Sequence, residues 1–187
     1  MKFFENLHMV LVVGLILALA LMYGTGHAPQ PETLVRWMHV FFGITWIGLL
    51  YYFNFVQVPT MPKIPAELKP GVSKFIAPSA LFFFRWAAAF TVLTGLIVAH
   101  LNHYLAEALT FKQGHQLIGI GMWLALIMAF NVWVLIWPNQ KKVLGLVEAS
   151  DTAKAQAGRI ALVASRTNTL LSLPMLVAMS TYFQNPW

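Results

Sequence analysis

Histidine is the residue type in this sequence that could carry metal or haem chemistry. The 187 residues include six histidines and no cysteine. Without cysteine, the sequence excludes disulfides, iron–sulfur clusters, thiolate zinc sites and covalent c-type haem attachment. Neutral imidazole is the usual nitrogen ligand of haem iron. The histidines therefore point to a metal ion or to a haem that is not covalently attached.

Two of the histidines lie in the same local pattern. A cation precedes each by three residues and a glycine follows each by four, in the triplets Arg36–His39–Gly43 and Lys112–His115–Gly119. Residues at these spacings share one face of a helix. The glycine would let a flat macrocycle lie close to the helix backbone, and the cation would pair with a haem propionate. The doubled pattern predicts haem b between two helices, with His39 and His115 as the iron ligands.

Other residues complete this set of candidates, and simpler roles stay open. Trp46 lies on the helix face of His39, so we expect it at the haem as well. His100 ranks third as an iron ligand, because no glycine accompanies it. His100 and His103 could instead bind a metal ion, with Glu107 as the nearby carboxylate. Any one of these histidines could also cap the carbonyls at a helix end.

The composition identifies the elements that must position these residues. Hydrophobic residues make up 59% of the chain and charged residues 10%, against about 25% charged residues in soluble domains. A helix needs roughly 20 apolar residues to cross a membrane. Five continuous apolar stretches approach or exceed this length: Leu7–Tyr23, Leu34–Val58, Ser79–Leu101, Leu117–Trp137 and Ala161–Phe183. The sequence predicts an all-α integral membrane protein, one domain over residues 1–187 with about five transmembrane helices.

The basic residues predict the orientation of these helices. With five spans, eight lysines and arginines fall on the side of the N-terminus, and Arg36 and Lys112 fall on the other. Basic residues accumulate on the cytoplasmic side, so we expect a cytoplasmic N-terminus and a periplasmic C-terminus. The first stretch should remain a helix, because the GTGHAPQP that follows it has no signal-peptide cleavage pattern. The net charge of +6 then suits contact with anionic membrane lipid, and a partnership with nucleic acid is not expected.

Polar residues in the predicted cytoplasmic half form a second candidate site. Arg85 and Arg166 lie inside apolar stretches, where arginine is expected to face the bundle interior and to be paired. With Asn131 and Asn168 they could line an anion pocket. Hydrogen bonding between helices is the alternative role for all four residues.

The connections between the helices also carry predictions. The proline-rich stretch Pro59–Pro78 is expected to be an irregular loop, and Asn139–Arg159 an amphipathic helix on the membrane surface. Pro174 is expected to kink the last helix, with Thr169 and Ser172 available to bond the freed carbonyls.

Three stretches of the sequence resemble a known family. RWMHVFFGITWIG (residues 36–48), NVWVLIWPNQKKVLG (131–145) and SRTNTLLSLPML (165–176) are similar to the membrane domain of the bacterial cytochrome-c-linked urate oxidases. The resemblance implies a multi-pass inner-membrane oxidase that hydroxylates urate and passes electrons to a cytochrome c domain after its last helix. The sequence contains no CxxCH motif, so we expect a separate periplasmic cytochrome c as the partner.

Three functions follow from these observations. The first is a b-type haem protein that transfers electrons in the membrane. The second adds enzyme activity, the oxidation of urate or of another small anion. The third is a cofactor-free accessory subunit of a larger respiratory or oxygenase complex.

Overall fold

The computed structural model describes residues 2–26 and 30–181, and this described part contains helices without any strand. Five of its helices are long and apolar enough to cross a membrane. We name them α1 to α5: Leu7–Gly24, Pro31–Lys63, Lys69–Leu101, Gln116–Val143 and Asp151–Thr181. The predicted all-helical class is confirmed. His27 and the predicted end of the last span at Phe183 lie outside the described residues.

Each of α2, α3 and α4 contains a π-helical segment that ends two residues before a proline. The segments are Tyr52–Gln57 before Pro59, Val72–Ile76 before Pro78, and Asn131–Ile136 before Pro138. A proline ring clashes with the carbonyl four residues earlier and offers no N–H. We attribute the continuity of these helices to the wider π turn, which relieves that clash without ending the helix.

The connection between α2 and α3 is therefore shorter than predicted. Residues 59–63 continue α2 and residues 69–78 begin α3, so only residues 64–68 lie outside a helix. The prediction of an irregular loop over Pro59–Pro78 is wrong. It treated the prolines as helix ends, whereas the π segments allow the helices to pass through Pro59 and Pro78.

The predicted surface helix over Asn139–Arg159 is also wrong. α4 ends at Val143, and Gly145 turns the chain with a φ of 73°. The Ser150 hydroxyl accepts a hydrogen bond from the Ala153 N–H at 3.2 Å and so caps α5. The stretch is thus divided between the end of α4, a turn and the start of α5.

The last helix runs without interruption from Asp151 to Thr181 and includes Pro174. The Ser172 hydroxyl donates to the Thr169 carbonyl at 2.8 Å, one turn before the proline. The Thr169 hydroxyl donates to the Ser165 carbonyl at 3.1 Å. Neither hydroxyl therefore bonds the Leu170 carbonyl, which Pro174 leaves without its N–H donor, and that part of the prediction is wrong.

Small residues allow α2 to α5 to pack closely. The buried face of α5 repeats at helical spacing: Ala157, Ala161, Ala164, Asn168, Ser172, Met175 and Ala178. Small side chains at such positions let membrane helices approach each other. Large side chains of the neighbouring helices fill the shared core, among them Trp46, Leu50, Phe84 and Met128. α1 contributes no buried residue to this core.

The two lysine-rich connections lie at one end of the bundle, which we call the basic end. The connection from α2 to α3 and that from α4 to α5 are on the same side, because Asn54 of α2 donates a hydrogen bond to Ser165 of α5 at 2.8 Å. The opposite end carries a short helix, Leu105–Leu109, between α3 and α4. His39, His100 and His115 all belong to this opposite end.

This arrangement predicts the sidedness of single cysteines in the cysteine-free chain. Glu67→Cys lies in the connection at the basic end and Gln113→Cys in the turn at the opposite end, and both positions are exposed. In intact cells a membrane-impermeant maleimide should label Gln113→Cys and reach Glu67→Cys only after lysis. Labelling of both variants in intact cells would contradict a five-span protein with a cytoplasmic basic end.

Candidate functional site

A cavity of about 690 Å³ lies between α2, α3, α4 and α5. Ligand sites in proteins commonly have volumes of about 300–1,000 Å³. Four residues that the sequence singled out line this cavity, all from α2: Arg36, His39, Gly43 and Trp46. The structure thus brings the first of the two triplets, together with Trp46, to the wall of one cavity.

The His39 ring is held by the backbone of α3. Its Nδ1 lies 2.9 Å from the Thr91 carbonyl oxygen. A carbonyl oxygen can only accept a hydrogen bond, so Nδ1 carries the proton and donates it. Neutral imidazole then has a lone pair on Nε2, which is the nitrogen left to bind a metal or to accept a proton. Histidines that bind metals in proteins are oriented by this kind of contact.

Gly95 makes the position of His39 possible. A Cβ at Gly95 would lie 2.8 Å from His39 Cε1 and 3.1 Å from Nδ1, which is closer than packed atoms approach. Sequence reasoning missed both Gly95 and Thr91. No residue type signals them, because the bond uses a backbone carbonyl and the need for a glycine appears only where α3 lies beside α2.

Trp46 lies deeper in the same wall. Its side chain is completely buried, and its indole N–H has no hydrogen-bond partner among the described residues. Tyr51, further along α2, also lines the cavity, and its hydroxyl lies 2.9 Å from the Ser172 hydroxyl of α5. The deep end therefore combines one unpaired donor with a bonded pair of hydroxyl groups.

Three methionines lie on the side of the cavity that α4 and α5 provide. Met122, Met175 and Met179 line it, and Met122 and Met175 are buried. Thioether sulfur is polarisable and packs well against aromatic rings. It is also an established axial ligand of haem iron beside histidine.

The second triplet is not in the cavity wall. His115 immediately precedes the first residue of α4, and Lys112 lies in the turn before it. The His115 ring stacks on Tyr104, with ring centroids 6.0 Å apart, and Tyr104 does line the cavity. His115 thus contacts a residue of the wall without itself being part of it.

Gly119 is required for packing. A Cβ at this position would lie closer to the Ala108 carbonyl oxygen of the short helix Leu105–Leu109 than any packed atoms approach. The glycine thus allows two helix backbones to touch, which occupies the space that a macrocycle would need. The two triplets have the same spacing but different surroundings: the first lines the cavity, and the glycine of the second packs against the short helix.

The remaining histidine and cation candidates are distributed over the same end. His100 is exposed in the last turn of α3. Arg36 pairs with Glu32, one turn earlier on α2, and Lys112 lies 3.8 Å from Glu107. Within residues 2–26 and 30–181, no three His, Cys, Asp or Glu side chains are grouped closely enough to hold a metal ion.

The residues of the predicted anion pocket serve the packing of helices. Asn131 donates to Asn168 at 2.8 Å, and Asn168 donates to the Met128 carbonyl at 2.9 Å. These bonds tie α4 to α5 in the core. None of the four predicted residues lines the cavity described above.

The two arginines of that group differ in their surroundings. Arg85 lies against the Trp137 ring, with its guanidinium carbon 3.4 Å from the ring centroid. Arg166 is exposed on α5. The expectation that both arginines face the bundle interior is therefore wrong for Arg166, whose place on α5 lies outside the small-residue face that packs against α4.

Residues 106–185 match the family described as Urate oxidase N-terminal. The match covers the short helix, α4 and α5, and includes two of the three stretches that carried the resemblance; residues 36–48 lie outside it. It supports membership of that family. No curated protein and no solved structure matches the chain.

The contact between Gly95 and His39 gives a test of this geometry. Gly95→Ala should force the His39 ring away from Thr91 and lower the free energy of unfolding by about 1–2 kcal/mol. Gly43→Ala is the matched control, because its Cβ would meet only Thr91 Cγ2 at an ordinary 3.8 Å. Thermal unfolding of both variants in detergent measures the difference, and equal unfolding temperatures would contradict the packing described.

Proposed function

We propose that this chain, whose residues 106–185 match the urate oxidase N-terminal family, is a membrane redox protein that binds haem b through His39. One observation carries the proposal. The Nδ1 of His39 donates to the Thr91 carbonyl, so its Nε2 lone pair is available in the wall of the cavity between the helices. A bound haem b would supply one-electron transfer at this site.

The surroundings of His39 suit a flat, largely apolar group. Gly43, one turn deeper on α2, and Gly95 on α3 both line the cavity, and neither places a side chain beside the imidazole. Arg36 lines it one turn before His39. Its guanidinium has five N–H donors, so it can donate hydrogen bonds to a haem propionate as well as to Glu32. These residues would leave room for the porphyrin ring and would supply a cation for its propionates.

The methionines suggest the second iron ligand. His115 was predicted for this role, but it lies behind Tyr104 and outside the wall. Met122, Met175 and Met179 belong to the wall that α4 and α5 provide. One of these thioethers, rather than His115 or His100, would be the second protein group to hold the haem.

The position of His39 suits an electron partner outside the membrane. His39 lies eight residues after Pro31, where α2 begins, or about 12 Å along the helix axis. A haem at this depth is close to the surface that we expect to be periplasmic. A separate periplasmic cytochrome c is the proposed partner, and the bacterial inner membrane the proposed location.

Oxidation of urate, which the family description suggests, has weaker support in this chain. The residues predicted to bind an anion are bonded to each other, stacked on Trp137 or exposed. We therefore prefer electron transfer to urate oxidation as the proposed function of this chain. The cofactor-free accessory subunit is the outcome that the following experiment would favour if no haem is found.

The absorption spectrum of the purified protein tests the proposal. The wild-type protein, expressed with added haem precursor, should show a Soret band, and His39→Ala should lose it because the iron loses its nitrogen ligand. His115→Ala and His100→Ala are the controls, and both should keep the wild-type haem content.

Two results would count against this function. A wild-type protein without a Soret band would favour the accessory subunit. A full haem content in His39→Ala, with an unchanged reduced spectrum, would make His39 a structural residue.

A further inference from the structure

The cavity opens sideways, between α2 and α5. Three of its lining residues are also strongly exposed: Ile44 is 70% exposed, Val40 52% and Leu176 40%. They are apolar residues of membrane-spanning helices, so the surroundings that they face are lipid. A molecule dissolved in the bilayer can therefore reach the cavity without passing through water.

Trp46, which lines the deep half of the cavity, carries an unpaired hydrogen-bond donor. Trp46 has no exposed surface, and its indole N–H lacks a partner among the described residues. An unpaired buried donor is costly, and such groups in native proteins usually have a partner that is a ligand or a water molecule. The surrounding wall is apolar, which favours an acceptor oxygen carried by an apolar ligand.

The deep half of the cavity, which Trp46 and Tyr51 line, is separate from the part that His39 lines. Trp46 lies seven residues after His39, or about 10 Å along the axis of α2, and Tyr51 about 7 Å further. The hydroxyl pair of Tyr51 and Ser172 lies at this deeper level. The deep half thus has its own polar groups, and a ligand there does not depend on haem at His39.

We propose that the deep half of the cavity binds the ring of a quinone that enters from the lipid between α2 and α5. A quinone has a flat ring, an apolar tail that remains in the bilayer, and carbonyl oxygens at the ring edge. The Trp46 N–H, which has almost no accessible surface in the empty cavity, turns toward the bound ring and donates to one of these carbonyls. An acyl chain of a lipid could fill the same space but offers no acceptor to Trp46.

Photolabelling in lipid nanodiscs tests this site. The probe is an azido-ubiquinone with a short tail, competed by decylubiquinone, and mass spectrometry locates the labelled peptides. Label should appear on the peptides that contain Gly48 and Ser172, which lie at the deep level. It should appear in wild-type protein and in haem-free His39→Ala alike, because the site does not depend on the proposed haem.

Two substitutions, each with a matched control, make the test specific. Trp46→Phe keeps an aromatic ring but deletes the N–H, and should raise the half-competing decylubiquinone concentration by about three- to tenfold. Trp123→Phe is its control, since the Trp123 N–H is already bonded to the Leu109 carbonyl at 3.1 Å. Its competition curve should match that of the wild type.

The second substitution closes the opening. A side chain at Gly48 meets no atom within 4 Å of its Cβ, and Gly48 lines the cavity. Gly48→Leu should therefore fold and reduce specific labelling. Gly14→Leu in α1, a position equally free of neighbours within 4 Å, should not change it.

Each outcome of the labelling experiment either supports or overturns the quinone site. Competed label at the deep half, weakened by Trp46→Phe and by Gly48→Leu, supports the quinone site even if no haem is found. Label that decylubiquinone does not displace, or that both variants leave unchanged, overturns it and leaves a lipid acyl chain as the occupant. The haem proposal is judged separately, by the Soret band.

Discussion

The hydrogen bond from His39 Nδ1 to the Thr91 carbonyl is the constraint on which the site depends. It joins α2 to α3 at the level of the cavity, and it fixes which nitrogen of the ring stays available. The contact requires Gly95, since any side chain there would meet the His39 ring. A single polar contact inside an apolar bundle thus determines both the local packing and the chemistry that the cavity can support.

The cavity exists because the helices around it are packed unevenly. α2 and α3 pack closely, and so do α4 and α5, where small residues and the Asn131–Asn168 bond hold the backbones together. Between α2 and α5 the structure has fewer contacts, bridged at the deeper level by the hydroxyls of Tyr51 and Ser172. The space left between these two pairs is lined by histidine at one level and by Trp46 at another. The proposed haem at one level and the proposed quinone at the other both depend on this division.

The sequence predicts the class of the fold well, because length and hydropathy alone decide which segments can cross a membrane. It predicts helix ends poorly. Pro59, Pro78 and Pro138 resemble helix breakers in the sequence, whereas the π segments before them let the helices continue. Whether a proline ends a helix or is accommodated depends on hydrogen bonds that no residue type specifies.

For the site, local spacing was informative on α2 and misleading on α4. His39 and Gly43 share a helix face and do line one cavity. The same spacing around His115 arises from a turn and from the approach of Gly119 to Ala108. Gly95, which decides the position of His39, is distant in sequence, so its role could be seen only once α3 was placed beside α2.

The protonation of the His39 ring tests the central claim most directly. Nitrogen-15 NMR of the protein labelled at histidine, with His39→Gln to assign the signal, distinguishes a protonated from an unprotonated ring nitrogen. Our account predicts a neutral ring with the proton on Nδ1 and a free Nε2 in haem-free protein. A His39 ring that carries its proton on Nε2 instead would show that the Thr91 carbonyl does not hold it, and would contradict the account.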